Sequence, residues 1–256
     1  MWDASFYNEK SIEQYKLGLN LLNELEFHEN EKILDLGCGT GKLSIAMAER
    51  YPSCEIIGID LDQNMINQAK MNLKKEKINN ISFLTVDFLK YTPNFLFDVI
   101  FSNSVIHWID DKKAVFQKIK EILNTNGRVG IQMPSSNNLS EITTLFIKPI
   151  ENLNLQNYFE HWRFPMKRIS QKKLKSIIDQ LEFSNIKIIE RDVGINFKNF
   201  EELLDFLQSA PLRPIISYIP DDLKKDYLES LLKILKEQGK NILNVTMKRI
   251  FIFLEN

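Results

Sequence analysis

Residues 32–41, Lys32-Ile-Leu-Asp-Leu-Gly-Cys-Gly-Thr-Gly41, decide the fold. A short strand-favouring run feeds into glycines at alternate positions, Gly37, Gly39 and Gly41, and a helix-like stretch from Lys42 to Arg50 follows. The order predicts a strand, a tight turn and a helix. Glycine belongs where the backbone turns sharply, takes positive φ or lets a ligand approach. The helix start behind such a turn carries unpaired N–H groups and a positive partial charge, where a polar or anionic part of a ligand can settle. The spacing is not that of the dinucleotide fingerprint G-x-G-x-x-G, whose last glycine would fall at Lys42. Nor is it a phosphate-binding loop closing on Gly-Lys-Ser/Thr, because Leu43 follows Gly41-Lys42.

Outward from this turn, strands and helices alternate. Apolar runs at Glu55–Ile59, Ile81–Val86, Phe97–Ser102 and Arg128–Met133 read as strands, with helices over 63–76 and 111–123. Unalternating apolar strands suit a parallel sheet covered on both faces. The βαβ alternation over 32–133 therefore predicts such a sheet with right-handed crossovers. Upstream, Ile12, Tyr15, Leu19, Leu22 and Leu25 form one helical stripe over 11–27, with Ser11 as its N-cap and residues 1–10 as an aromatic lead segment. Downstream of Pro134, helices are expected over 140–151, 170–182, 199–208 and 221–238, and strands over 185–191 and 246–254. The whole reads as a single α/β domain over 1–256, with residues 135–180 and 196–241 forming a helical cap on the sheet's carboxyl edge. Tyr158, Phe159, Trp162 and Phe164 read chiefly as packing inside that cap.

Composition narrows the class. Of 256 residues, 44% are apolar and 26% charged, ordinary for a soluble globular chain. The net charge of −1 argues against nucleic-acid binding driven by bulk charge. Cys38 and Cys54 lack any metal-ligand spacing, so no metal centre is expected, and unpaired cysteines fit a reducing compartment. No leader pattern or membrane-length apolar run is visible. The expectation is a cytoplasmic enzyme without membrane partners, monomeric or weakly dimeric.

In an open parallel sheet, ligands bind beyond the carboxyl ends of the strands. Asp35, Asp60, Asp87 and Asn103 fall there. Asp60, nineteen positions after Gly41, suits hydrogen bonds to ribose hydroxyls. Asp87 suits an adenine amino group, with Phe88 beside the ring. The competing role for a strand-end Asp is to form a turn or cap a helix.

The stretch Asp35–Gly41 resembles the first motif of class I S-adenosylmethionine (SAM) methyltransferases. Gly58-Ile-Asp-Leu-Asp-Gln-Asn-Met65 resembles the second motif, Val86-Asp-Phe88 the third and Phe97–Trp108 the fourth, so the resemblance covers about residues 30–133. It implies a Rossmann-like sheet of seven strands with the last antiparallel, and SAM as cofactor. It further implies that Asp35, Gly37, Cys38, Gly39 and Gly41 form the nucleoside loop, that Leu61 and Met65 flank adenine, and that Asn103 lies at the site. Tyr7 and Gln14 are expected to close over SAM from the N-terminal segment.

A narrower resemblance extends further. Trp2-Asp-Ala-Ser-Phe-Tyr7, Ser102-Asn-Ser-Val-Ile-His-Trp108, Ile131-Gln-Met-Pro134 and Pro211-Leu-Arg-Pro214 resemble trans-aconitate methyltransferases and related small-molecule carboxyl methyltransferases. His107 departs from the pattern, where such relatives usually carry Gln. The resemblance implies a small carboxylate as methyl acceptor. A carboxylate is already ionised at neutral pH, so transfer needs alignment and exclusion of water more than a base. Arginine is the best partner for it, and Arg163, Arg168 and Arg213 are the candidates, Arg213 by its motif. His107 is either a base for a neutral acceptor or a packed wall, and Trp108 a hydrophobic wall. A malonyl-carrier-protein methyltransferase and a catalytically silent module that binds SAM or a partner protein remain the alternatives.

Overall fold

The computed structural model describes residues 2–162 and 169–256. Arg163, Phe164 and Arg168, named above, lie outside the described residues. The strands are β1 (Lys32–Leu36), β2 (Glu55–Asp60), β3 (Ile81–Thr85), β4 (Phe97–Asn103), β5 (Leu123–Pro134), β6 (Asn185–Asn196) and β7 (Asn244–Glu255). They form one sheet in the order β3-β2-β1-β4-β5-β7-β6. The first five strands run parallel, and β7 is antiparallel to both β5 and β6.

Helices cover both faces, as the unalternating strands require. On one face lie α1 (Ala4–Lys10), α2 (Ile12–Glu24), α3 (Lys42–Arg50) and α4 (Gln63–Leu73). There Leu21, Leu22 and Met47 pack on Ile33, Val99, Phe101 and Phe251. On the other face, α5 (Lys112–Ile122) buries Val115, Phe116 and Ile119 against Leu34, Ile100 and Val129. A separate apolar cluster fills the cap. It joins α6 (Ser140–Thr143) and α7 (Lys148–Asn152) to the later α9 and α11, and its floor is the end of the β6–β7 ladder at Ile195, Val245 and Met247.

Several elements differ from the sequence reading. The lead segment contains helix α1, capped by Asp3, whose side chain accepts from the Phe6 N–H. Ser11 does not cap α2 with its side chain; its N–H donates to Tyr7 O at 3.0 Å. The helix expected over 140–151 breaks into α6, a 3-10 turn at Thr144–Ile147 and α7, which has Pro149 in its first turn. The turn expected at Asn124–Gly127 lies within β5, which already begins at Leu123, and appears there as an irregularity that shifts the register to β4 between Phe97 and Val99. Helix α8 (Gln171–Ile178) is not part of the cap. It packs on α5 and β6, with Leu174 and Ile178 in the core beneath the sheet. The cap's second half comprises α9 (Phe200–Ser209), α10 (Arg213–Ile216) and α11 (Lys224–Glu237).

Candidate active site

A cavity of about 470 Å³ opens at the carboxyl ends of the central strands. Its floor comes from the ends of β1, β2 and β4, and its far wall from Pro134, Met247 and Arg249. Its roof comes from α1, α2 and the cap, through Tyr7, Gln14, Phe206 and Pro211.

The glycine turn is held from within. The N–H groups of Gly37 and Cys38 both donate to the Ile59 carbonyl, at 2.8 and 2.9 Å, and that of Gly41 to Cys38 O at 3.0 Å. The Gly39 N–H donates to Asp60 Oδ2 at 2.9 Å. These N–H groups are used to fix the shape of the turn. Gly37 has φ +74°, and a Cβ there would lie 2.2 Å from Val105 Cγ2. A Cβ on Gly39 would meet only Tyr7 Cε1, at 3.7 Å, so a ligand can pass close to the backbone there.

Asp35, Cys38 and Gly41 stand behind the turn and off the cavity wall. Asp35 is 1% exposed and accepts from the Ser44 hydroxyl in the first turn of α3. Burial pushes its carboxyl up to about 7, with the Ser44 bond opposing. Cys38 packs with Ile45, Ile66 and Phe83, and burial holds its thiol well above the usual range. Gly41 abuts Phe83.

Gly37, Gly39, Asp60, Leu61, Met65, Asp87, Phe88, Asn103, His107, Trp108, Tyr7 and Gln14 all line this cavity. Asp60 Oδ1 accepts from the Asp62 N–H at 2.9 Å, so this carboxylate ties the end of β2 to both the glycine turn and the following loop. Burial raises its pKa, and its backbone donors oppose the rise. Asp87 caps the 3-10 turn Phe88–Lys90, accepting from the Leu89 N–H at 3.0 Å. Leu61 is 73% exposed at the rim. Asn103 donates to Gln14 O at 2.9 Å, and Gln14 donates to Ser209 Oγ at 3.0 Å, linking β4, α2 and α9. The Asn103 Oδ1 and Gln14 Oε1 atoms are buried without a hydrogen-bond partner.

Aromatic rings close the entrance. Trp2 packs edge-on against Tyr7 at 5.6 Å and against Trp108 at 5.8 Å. The Trp2 N–H donates to Asp62 Oδ2 at 2.8 Å, and Lys42 Nζ and Asn72 hold Asn8, so α1 is clasped over the turn. Burial, with Asp60 nearby, pushes the Tyr7 phenol up to about 12. His107 is 4% exposed, its ring centre 5.0 Å from that of Trp108. Arg213 is not on the cavity wall; its guanidinium lies over the Trp2 ring at 5.8 Å.

The sequence reading gave no role to Trp2, Asp62, Ser104, Gln132, Asn138 or Arg249. Arg249 is the most consequential of these. It is 6% exposed and lines the cavity, and its Nη2 donates to Ser104 Oγ at 2.7 Å and to Gln132 Oε1 at 2.5 Å. A signal was present: Arg249 falls on the strand face of Val245, Met247 and Phe251, a charge in an apolar row. Among the described residues, no cluster of His, Cys, Asp and Glu is arranged to hold a metal ion, and no helix is long and apolar enough to cross a membrane.

Comparison with known proteins bears on this geometry. Residues 27–182 match the family described as "Methyltransferase domain". A trans-aconitate 2-methyltransferase of Escherichia coli is 25% identical over 239 residues, covering 93% of this chain and 89% of the relative. A malonyl-[acyl-carrier protein] O-methyltransferase of Ilyobacter polytropus is 27% identical over 240 residues, covering 91% and 84%. Among solved structures, a cyclopropane synthase of Mycobacterium tuberculosis superposes with a TM-score of 0.63 at 14% identity, covering 94% of this chain and 84% of that one. Phosphoethanolamine N-methyltransferase 2 of Haemonchus contortus, solved with SAM, gives 0.61 at 18% identity, covering 94% and 52%. With that family match running from the glycine turn through α8, and with the antiparallel β7 set between β5 and β6, the chain belongs to the methyltransferase domain family, in its class I, SAM-dependent form.

Proposed function

We propose that this chain transfers the methyl group of SAM to a carboxylate oxygen of a small organic acid. One observation carries the reading. The carboxylates on the cavity wall, Asp60, Asp62 and Asp87, all belong to the β2–β3 end, whereas the β4–β5–β7 end has none and contains the buried Arg249. An anionic acceptor is repelled from the first end and attracted to the second. The names of the two relatives, which concern trans-aconitate and a malonyl carrier protein, support an organic acid as acceptor.

The residues present fit the cofactor. An ionised carboxylate offers about four acceptor sites; Asp60 uses two on backbone N–H groups, which leaves the others for ribose hydroxyls. Leu61, Met65 and Phe88 supply apolar walls for adenine, and Asp87 an acceptor for its amino group. The partnerless Gln14 Oε1 and Asn103 Oδ1 suit the methionyl ammonium. Asp35, Cys38 and Gly41 act from behind, shaping the turn. When bound, SAM supplies an electrophilic methyl group on a sulfonium sulfur. The chain then has to align an already ionised acceptor and keep water away. Trp2, Tyr7 and Trp108 exclude water, and His107 serves as a wall beside Trp108. Arg213 supports the Trp2 ring.

The test is methyl transfer from labelled SAM to a panel of di- and tricarboxylic acids, with malonyl carrier protein and simple amines alongside. Label on a small acid, released by mild base as methanol, is expected. Label confined to amines or to the carrier protein overturns the small-acid reading, and SAM binding without transfer to any member points to a silent module.

A further inference from the structure

Arg249 is a buried charge. Among the described residues, no carboxylate lies within ion-pair distance of it. Its Nη2 donates to two neutral oxygens, Ser104 Oγ and Gln132 Oε1, and its Nε is buried with no acceptor. Neutral acceptors orient a guanidinium without cancelling its charge, and an uncompensated buried charge is costly. Burial lowers its pKa to about 9, and it still carries a proton at neutral pH.

The splint is itself built with care. Gln132 is fully buried and stands opposite Asn103 in the β4–β5 ladder. Ser104 holds φ 60° directly after β4, and its N–H donates to Gln132 O at 2.8 Å. A non-glycine residue kept in this region marks a place where the fold imposes a local cost. Gln132 Nε2, on the amide that accepts from the guanidinium, is also buried without a partner, as is Asn138 Oδ1 on a residue lining the same cavity. This is an unfinished polar site facing a cavity.

We propose that Arg249, held by Gln132 and Ser104, binds a carboxylate of the methyl acceptor. The inference rests on the carboxylate reading above and deepens it. Two sources of a carboxylate are conceivable, the acceptor and the methionyl end of the cofactor, and strand order favours the acceptor. From β1, which carries the glycine turn, the sheet runs through β4 and β5 to β7. At about 4.8 Å per strand, that is roughly 14 Å along the edge. A carboxylate gripped by a guanidinium has its oxygens engaged and is a poor nucleophile. The favoured acceptor is therefore an acid with at least two carboxylates, one held by Arg249 and another methylated.

The test is calorimetry of S-adenosylhomocysteine, and then of tricarballylate on the S-adenosylhomocysteine-saturated protein. Wild type is compared with Arg249→Lys, Arg249→Gln and Gln132→Glu. Tricarballylate is expected to bind wild type, and Arg249→Gln to weaken it by about tenfold or more. Gln132→Glu should weaken it too, because it gives the guanidinium an internal counter-ion, while Arg249→Lys keeps part of the affinity. Unchanged S-adenosylhomocysteine affinity in each variant certifies the fold. Equal tricarballylate affinity in Arg249→Gln overturns the proposal, as does a wild type that does not bind tricarballylate. A parallel loss of S-adenosylhomocysteine affinity in a folded variant assigns the guanidinium to the cofactor and also overturns it. The activity assay keeps the two readings apart. Transfer only to amines with Arg249-dependent tricarballylate binding retains the anchor and removes carboxyl methylation. Transfer to an acid at equal kcat/KM in Arg249→Gln does the reverse.

Discussion

Asp60 binds two loops and faces the cavity at the same time. Removing its carboxylate frees the Gly39 and Asp62 N–H groups and takes away the acceptor proposed for ribose. Asp60→Ala is expected to weaken SAM binding by more than about tenfold in calorimetry; near-wild-type affinity would sink the ribose assignment. His107 allows a sharper decision. A wall residue tolerates replacement by an amide of similar reach, whereas a general base contributes about 10²–10⁴-fold. Methyl-transfer kcat for His107→Gln should therefore stay within about threefold of wild type, and a drop of a hundredfold would make His107 the base. Residues next to the glycine turn and at strand ends were legible because their spacing along the chain fixes their place at the sheet edge. Arg249 was not, since its role depends on β7 entering beside β5, which no local spacing encodes. Arg213 was chosen for its motif, yet a motif does not say on which side of Trp2 a guanidinium lies.

At the scale of elements, α1 behaves as a clasp. Asn72 and Lys42 hold its Asn8, Asp205 pairs with its Lys10, Asp62 accepts from the preceding Trp2, and its inner surface includes the edge-on pairing of that Trp2 with Tyr7 and Trp108. Such aromatic pairs contribute about 0.5–1.5 kcal/mol each beyond the area they bury. Trp2→Ala should leave the thermal midpoint within a few degrees of wild type and lower SAM affinity about five- to tenfold. Stopped-flow SAM release should accelerate to match, and unchanged release would reduce α1 to packing. The helix was invisible in the sequence because its seven residues are too few to display a period, and its aromatic side chains are spent on the cavity. The placement of α8 on α5 was missed for a related reason, since it is settled by neighbouring elements and not by local propensity, whereas Pro149 was a local break signal left unread.

For the whole molecule, the buried acids couple stability to pH. The Asp35 carboxyl has a folded pKa of about 7 against an ordinary value of 3.8, because burial favours its neutral form. Between these values the folded state holds more protons than the unfolded one, so this contribution to stability is complete at low pH and is lost as pH rises through about 7. Asp60 shifts in the same direction. Wild-type thermal stability without SAM should fall from pH about 5 to about 8, and Asp35→Asn should flatten that slope. An identical slope in the variant would place the linkage elsewhere. The antiparallel last strand was legible at this scale only through resemblance to a family; periodicity revealed the parallel half and, beyond Pro134, further elements without their place in the sheet.

The position of β7 also governs the order in which the molecule can assemble. Synthesis proceeds from the N-terminus, and chains begin to fold before they are finished. The strands that carry Asp60, Asp87 and the glycine turn can pair among themselves as soon as β4 has left the ribosome. By contrast, β6 is joined to the sheet through β7 alone and has to wait for it. Arg249 arrives on that same late strand, so the nascent chain builds the end proposed for the nucleoside first and the end proposed for the acceptor last.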